Sequence, residues 1–305
     1  MPARTDVIIP SAGEDLATWL YRPEGDGPAP CVVMAHGFSA TRRDGLEPYA
    51  EAFQEAGFAV LLFDYRYFGE SSGEPRQLLD IAAQRADYRA VVGHARSLDG
   101  VDPARIVLWG SSFSGGHVMA LAQEDPAIAA VVAQAPFTDG LTIVKITPKL
   151  QLLRATADAV RDQAGALLGR PPVMITAAGK PGEYAVMTAP EVVPGFASIT
   201  GEGSRWRNEV AARVMLHIGL ENPAGGTGKL QMPLLICACD EDQTTPPGPA
   251  IKAAERAPRG ELKRYAMGHF GIYDSLEARA DQVEFLVRHV IKADAPAPER
   301  AAQTL

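Results

Sequence analysis

Leu108-Trp109-Gly110-Ser111-Ser112-Phe113-Ser114-Gly115-Gly116 is the stretch that decides the fold. An apolar run, Arg105–Trp109, passes through small residues straight into a segment with helical spacing, Phe113–Glu124. A strand that turns so abruptly into a helix holds one residue on a strained backbone, and the positions two before and two after it must be small. For Ser112, Gly110 meets the first requirement, and Ser114 stands at the second, where such turns ordinarily carry glycine. Ser111 and Ser114 compete as the presented hydroxyl. Registering Gly110 at the first small position, with Gly115 and Gly116 inside the helix, selects Ser112. Taken alone, the stretch can also be read as a Gly/Ser-rich turn without chemistry.

The same strand-to-helix rhythm repeats on both sides. Before the stretch lie Val7–Ile9 and Leu16–Tyr21, an opening hairpin, then a Pro/Gly loop over Pro23–Pro30. Strand Cys31–Ala35, helix Leu46–Ala56, strand Ala59–Phe63 and helix Leu78–Leu98 follow, and strand Ala129–Ala133 comes after the elbow helix. Strands apolar throughout and separated by helices imply a parallel sheet covered on both faces. The rhythm stops near Pro136. Two helical pieces, Lys149–Leu168 and Arg205–Ile218, flank a Pro/Gly-rich middle over 170–203. The alternation resumes with strand Pro233–Ala238, helix Gly248–Arg256, strand Leu262–Tyr265 and helix Ser275–Ile291, and the tail Ala293–Leu305 reads as frayed. The expectation is an α/β fold with a mostly parallel sheet of about eight strands. Residues 1–137 and 231–305 form its core, and 138–230 is a helical lid inserted into it.

Composition narrows the classes of function. The chain has 305 residues, 47% of them apolar, enough for one large core with an accessory lobe. A formal net charge of −8 makes nucleic acid and anionic membrane surfaces poor partners. No apolar run reaches the roughly 18 residues of a membrane span, and MPARTDVIIP lacks the apolar centre of a secretory signal. Cys31, Cys237 and Cys239, an odd number, all sit in apolar runs, so buried thiols are expected rather than a disulfide framework. Cys237 and Cys239 share a strand face, but no His/Cys cluster with ligand spacing accompanies them. A cytoplasmic protein with no cofactor and no metal is expected. Its partner is a small-molecule substrate, and a homodimer is left open.

A serine hydroxyl attacks only when a base lies within hydrogen-bond reach. Of six histidines, His269 stands in a loop just after the last expected strand, where sites gather in parallel sheets. His94, His217 and His289 fall within helices, and His117 packs one turn along the elbow helix. A carboxylate is needed between Ser112 and His269. The run Asp240-Glu241-Asp242 ends a strand, and its spacing to the turn at Pro246-Pro247 favours Asp242. The order Ser, Asp, His suits an open α/β sheet. Catalysis on a carbonyl also needs amides aimed at the developing oxyanion. Those of Phe113, directly after the serine, and Phe38, in the loop His36-Gly37-Phe38 after a strand, are the candidates. His36 then stabilises the turn.

His36-Gly37-Phe38, the turn Asp64-Tyr65-Arg66-Tyr67-Phe68-Gly69-Glu70-Ser71, the Ser112 elbow, Asp242 before Pro246 and Gly268-His269-Phe270 together resemble the α/β-hydrolase superfamily. The resemblance runs from Val7 to Ile291 and is greatest to the dienelactone-hydrolase and acyl-esterase branch that includes polyketide transferases. It implies acyl transfer through a covalent acyl-Ser112, with His269 as base and Asp242 orienting it. It implies no catalytic role for Asp64, Arg66 or Gly69. A serine at the elbow disfavours chemistries of this superfamily that use a carboxylate nucleophile. Phe137, Tyr184, Met187, Phe196, Trp206 and Met215 are candidates for an apolar acyl or alcohol pocket, or equally for the lid's own core. An ester or thioester substrate is expected. Acyl transfer to another nucleophile, carbon–carbon bond hydrolysis and a non-catalytic ligand-binding role are the rivals.

Overall fold

A computed structural model of the protein describes residues 4–25 and 27–292. The expected opening hairpin is β1 (Arg4–Ser11) and β2 (Glu14–Tyr21), paired antiparallel from Arg4–Tyr21 to Ser11–Glu14. Then come β3 (Ala29–Ala35), α1 (Glu47–Glu55), β4 (Ala59–Phe63), α2 (Ile81–Ser97), β5 (Val101–Ser111), α3 (Phe113–Glu124) and β6 (Ala130–Gln134). Residues 138–230 contain α4 (Gly140–Ile146), α5 (Lys149–Leu167), β7 (Met174–Ile175), α6 (Val192–Ile199), β8 (Val210–Ala211) and α7 (Met215–Ile218). The chain closes with β9 (Leu234–Cys239), α8 (Pro247–Arg256), β10 (Gly260–Tyr265) and α9 (Leu276–Leu286). The tail from 293, expected to fray, lies outside the described residues.

Eight strands form one sheet in the order β1-β2-β4-β3-β5-β6-β9-β10. Only the β1–β2 and β2–β4 pairs are antiparallel; the rest run parallel. The inner strands β4, β6 and β9 are buried at every residue, as a sheet covered on both faces requires. Edge strand β10 is only half-buried along most of its length. One core packs α2, α3 and α8 against the sheet, and a second packs α1 and α9 against the other face.

The 138–230 segment leaves after β6 and returns at β9, which pairs with β6 in parallel, and it adds no strand to the large sheet. Its β7 and β8 form a separate two-stranded ribbon. The helix expected over Arg205–Ile218 is mostly something else: β8, a 3-10 turn at Ala212–Val214 and the one-turn α7. Packing decides this. Asp162, on the buried face of α5, accepts hydrogen bonds from the Val173 amide at 2.8 Å and the Arg213 amide at 2.9 Å, and pairs with the Arg213 guanidinium at 2.7 Å. These bonds fix the backbone at 213 to α5. Burial alone would raise the Asp162 pKa, but Arg213 and the two amides hold it below its ordinary value.

Candidate active site

The candidate triad and oxyanion-hole residues collect at the carboxyl ends of the parallel strands. Ser112 follows β5, Asp242 follows β9 and His269 follows β10, while His36-Gly37-Phe38 follows β3. Parallel strands end on one edge, so residues far apart in sequence meet there.

Ser112 caps α3 with φ 56° and ψ −116°, a conformation that L-residues rarely adopt. Gly110 makes the turn affordable in space, because a Cβ there would lie 2.2 Å from the Ser114 carbonyl oxygen. Ser114 fits where glycine is usual because its side chain has partners. It donates to the His36 carbonyl, so the Tyr65 hydroxyl, 2.6 Å away, donates to it. Ser111 points elsewhere, donating to Tyr273 Oη at 2.9 Å and accepting from Gln134 Nε2 at 3.1 Å. Of the three serines, Ser112 alone reaches an imidazole.

That imidazole is His269, whose Nε2 lies 3.1 Å from Ser112 Oγ. Its Nδ1 lies 2.6 Å from Asp242 Oδ2. Asp242 Oδ1 accepts from the amides of Thr244 at 2.8 Å and Thr245 at 2.6 Å. An aspartate bonding the amides two and three residues on closes a tight turn, and this turn aims the other oxygen at the ring. Thr245 Oγ1 adds a contact 2.9 Å from Asp242 Oδ2 and 3.1 Å from His269 Nδ1. The relay is buried, with Ser112 8%, Asp242 5% and His269 2% exposed. Burial would lower the His269 pKa, but Asp242 opposes it by charge and hydrogen bond and Glu191 by charge, and the result lies above the ordinary imidazole value. Asp240 instead pairs with Arg264 at the surface, at 2.8 Å.

The loop after β3 lies against the serine. A Cβ on Gly37 would be 2.9 Å from Ser112 Cβ and 3.4 Å from its Oγ. Among the described residues the Phe38 and Phe113 amides have no hydrogen-bond acceptor. Phe113 is the first residue of α3, so its amide and the positive end of the helix dipole face the same space. The Phe38 and Phe113 rings meet edge to face at 5.6 Å. His36 is buried, with Nδ1 2.9 Å from the Gly37 carbonyl and Nε2 3.4 Å from the Tyr65 amide. Burial lowers its pKa, and its two backbone contacts make it part of the turn. Asp64 accepts from the amides of Arg42 at 2.7 Å and Glu70 at 2.9 Å, and Arg66 pairs with Asp87. The Glu70 bond closes the 64–71 turn, and the other two tie it to the loop after β3 and to α2.

The six candidate pocket residues do not form one cluster. Phe137 packs on Phe113 at 5.1 Å beside the elbow. Phe196 stacks on Trp206 at 4.8 Å and packs on Phe270 at 5.3 Å, next to His269. Tyr184 donates to Asp158 of α5 at 2.7 Å under the Arg154 guanidinium, and Met215 lies against the α2/α3/α8 core. Met187 lines a groove of about 390 Å³ with Ile143, Ile146, Val192, Gln243 and Thr244, which abuts the Asp242 turn. The three cysteines are free and buried, and burial pushes Cys31 and Cys237 up to about 12. Among the described residues no group of three His, Cys, Asp or Glu could hold a metal ion, and no helix is long and apolar enough to cross a membrane.

Three residues at the site are not singled out by sequence. Thr245 has a local signal, the Asp-Gln-Thr-Thr-Pro turn. Tyr65 has only its place after a strand. Glu191 has none: its carboxylate reaches residues 52 and 78 positions away.

Comparison with known proteins agrees with this architecture. Residues 12–160 match the family of X-Pro dipeptidyl-peptidases (S15 family). The quorum-quenching protein AidA of Acinetobacter baumannii (strain MDR-ZJ06) is 43% identical over 291 residues, 94% of this chain and 96% of that one. Thiohydrolase aneE of Aspergillus aculeatus is 39% identical over 137 residues, 44% of this chain and 42% of that one. The crystal structure of the α/β hydrolase GrgF from Penicillium superposes with a TM-score of 0.80 at 24% identity, covering 95% of this chain and 99% of that one. Full-length kinship to AidA and the shared sheet architecture lead to one assignment: the chain belongs to the α/β-hydrolase superfamily.

Proposed function

We propose that the protein is a serine hydrolase that cleaves a carboxylic ester through an acyl-Ser112 intermediate. The observation that carries this reading is the continuous relay from Ser112 Oγ through the His269 ring to Asp242. His269 Nε2 takes the serine proton as Oγ attacks the carbonyl carbon. The Phe38 and Phe113 amides receive the oxyanion, supported by the α3 dipole. His269 then gives its proton to the leaving alcohol. Water, deprotonated by His269, releases the acid and restores the serine. Asp242 holds the ring in the tautomer that leaves Nε2 free and stabilises the imidazolium in between.

The 138–230 insertion is assigned the role of lid. Its groove beside the Asp242 turn, where Ile143, Ile146, Met187 and Val192 stand beside polar Gln151, Gln243 and Thr244, supports a substrate with a small to medium apolar part. The three unpaired, buried thiols suit a cytoplasmic protein. Names among the relatives support a second reading with the same residues, in which the scissile bond is a thioester or the acyl group passes to another nucleophile: aneE is a thiohydrolase and grgF is named a polyketide transferase. AidA's description as quorum-quenching supports a signalling molecule carrying a hydrolysable acyl bond. A panel of p-nitrophenyl esters and acyl thioesters of increasing chain length, run with and without a competing amine or alcohol, separates these. Ester turnover lost in Ser112→Ala supports hydrolysis. Product formed only with the added nucleophile supports transfer, and no turnover by wild type of any member contradicts both.

A further inference from the structure

Glu191 lies outside the relay, on the last residue before α6, yet it touches both loops that carry the relay. Its Oε1 accepts from the Gln243 amide at 2.8 Å, the Thr244 amide at 3.0 Å and Thr244 Oγ1 at 2.9 Å. Its Oε2 accepts from the amide of His269 itself at 2.8 Å. The Thr244 amide is shared with Asp242 Oδ1, so one N–H ties the orienting acid to Glu191. Gly268 leaves the room this needs, because a Cβ there would lie 2.3 Å from Glu191 Oε2. The helix behind is seated as closely: a Cβ on Gly195 would lie 2.1 Å from the Phe270 ring.

We propose that Glu191 is a positioning residue through which the inserted segment assembles the active site, its single carboxylate clamping the Asp242 loop and the His269 loop in reacting register. The role rests on the serine-hydrolase reading above but acts on the two loops whatever the substrate. A carboxylate suits it chemically. Four donors converge on two oxygens, and only an ionised acid offers acceptors on both sides. The consequence for the fold is that α6 belongs to the fixed site.

The charge leaves a signature that packing alone would not. His269 faces Asp242 from the loop after β9, Glu191 from the insertion and the Ser112 hydroxyl from the elbow. Cys239 and Tyr273, which sense Asp242, are held protonated chiefly by burial. Both carboxylates favour the imidazolium, so removing the Glu191 charge lowers the His269 pKa. The serine reacts only when His269 is neutral. Its acid limb therefore moves to lower pH in Glu191→Gln, while the plateau rate falls because the amide's NH2 faces a donor.

The test compares wild type with Glu191→Gln, Glu191→Asp and Gly268→Ala. One measurement is the rate of fluorophosphonate labelling against pH. The other is NMR titration of the His269 ring in full-length protein labelled with 15N-histidine, assigned by its loss in His269→Gln. Glu191→Gln should lower plateau labelling about tenfold to a hundredfold, and should lower the His269 midpoint by roughly half to one pH unit, with little change in melting temperature. Glu191→Asp, which keeps the charge on a shorter arm, should restore part of the midpoint. Gly268→Ala, which displaces the carboxylate from the other side, should act like Glu191→Gln even if that variant folds poorly. An unmoved His269 midpoint with labelling lost only in step with melting temperature overturns the proposal, as does wild-type labelling in Glu191→Gln. Wild type that resists the probe while the midpoint still moves would sink the serine-hydrolase reading and leave the clamp standing.

Discussion

Asp242 and Asp240 are two residues apart, and their surroundings divide the labour between them. Asp242 is buried and accepts from two amides, a threonine hydroxyl and the His269 ring. Asp240 is exposed and pairs with Arg264. Asp242→Asn should therefore lower the rate of p-nitrophenyl ester hydrolysis on the order of 10²–10⁴-fold, because the ring loses its orienter. Asp240→Asn should leave it within about twofold, an exposed pair contributing little. Steady-state kinetics on the two variants decides it, and the reverse ranking would mean the acid is misassigned. At this scale the meeting of Ser112, His269 and Asp242 was readable in sequence. Small residues at 110 and 114 select Ser112, and a histidine after the last strand can reach it. Glu191 could not be read, because its meaning lies in contacts across 52 and 78 residues that no local pattern encodes. Ser114 was legible only as a departure, and the structure supplies its reason in Tyr65 and the His36 carbonyl.

At the scale of elements, the strands were readable and so was α5, expected over Lys149–Leu168 and found over Lys149–Leu167, but the rest of the insertion was not. Inner strands such as Ala59–Phe63 are continuous apolar runs because both their faces are covered. In the insertion, α6 reads VVPGFASI, with proline and glycine inside it, and it is held by packing on Phe270 rather than by propensity. The helix expected over 205–218 was likewise displaced by the Asp162–Arg213 contacts. Asp162→Ala should consequently destabilise the protein by about 3–5 kcal/mol, since it leaves a mostly buried guanidinium and two amides without their acceptor. Chemical denaturation measures this, and a loss below about 1 kcal/mol would show that Arg213 finds other partners. Trp206 tests the other half of the insertion. Its ring is only partly buried and stacks on Phe196 beside the His269 loop. Trp206→Ala should change ester chain-length preference while costing less stability than Trp109→Ala, whose fully buried ring should cost about 3–5 kcal/mol. A large loss of stability with unaltered selectivity would assign Trp206 to packing alone.

Across the whole molecule, the insertion straddles the carboxyl edge of the sheet. It gives Ile175, Val210, Val214 and Ile218 to the core on one face, and Val192, Phe196 and Ile199 to the core on the other. The sheet brings Ser112, Asp242 and His269 to one edge, and the insertion meets the Asp242 and His269 loops there through Glu191. Alternation on both sides of 138–230 announces the first half of this arrangement, since covered parallel strands have a pattern of their own. The second half depends on long-range packing and appears only in three dimensions. On the proposed reading, the two together present a single activated hydroxyl, at position 112, that forms a covalent intermediate. The most direct measurement is peptide mass spectrometry after reaction with a fluorophosphonate, on wild type and on Ser112→Ala, Ser111→Ala and Ser114→Ala. One adduct per chain is expected, on Ser112, abolished only by Ser112→Ala. An adduct on Ser111 or Ser114, or none on wild type, would contradict that reading.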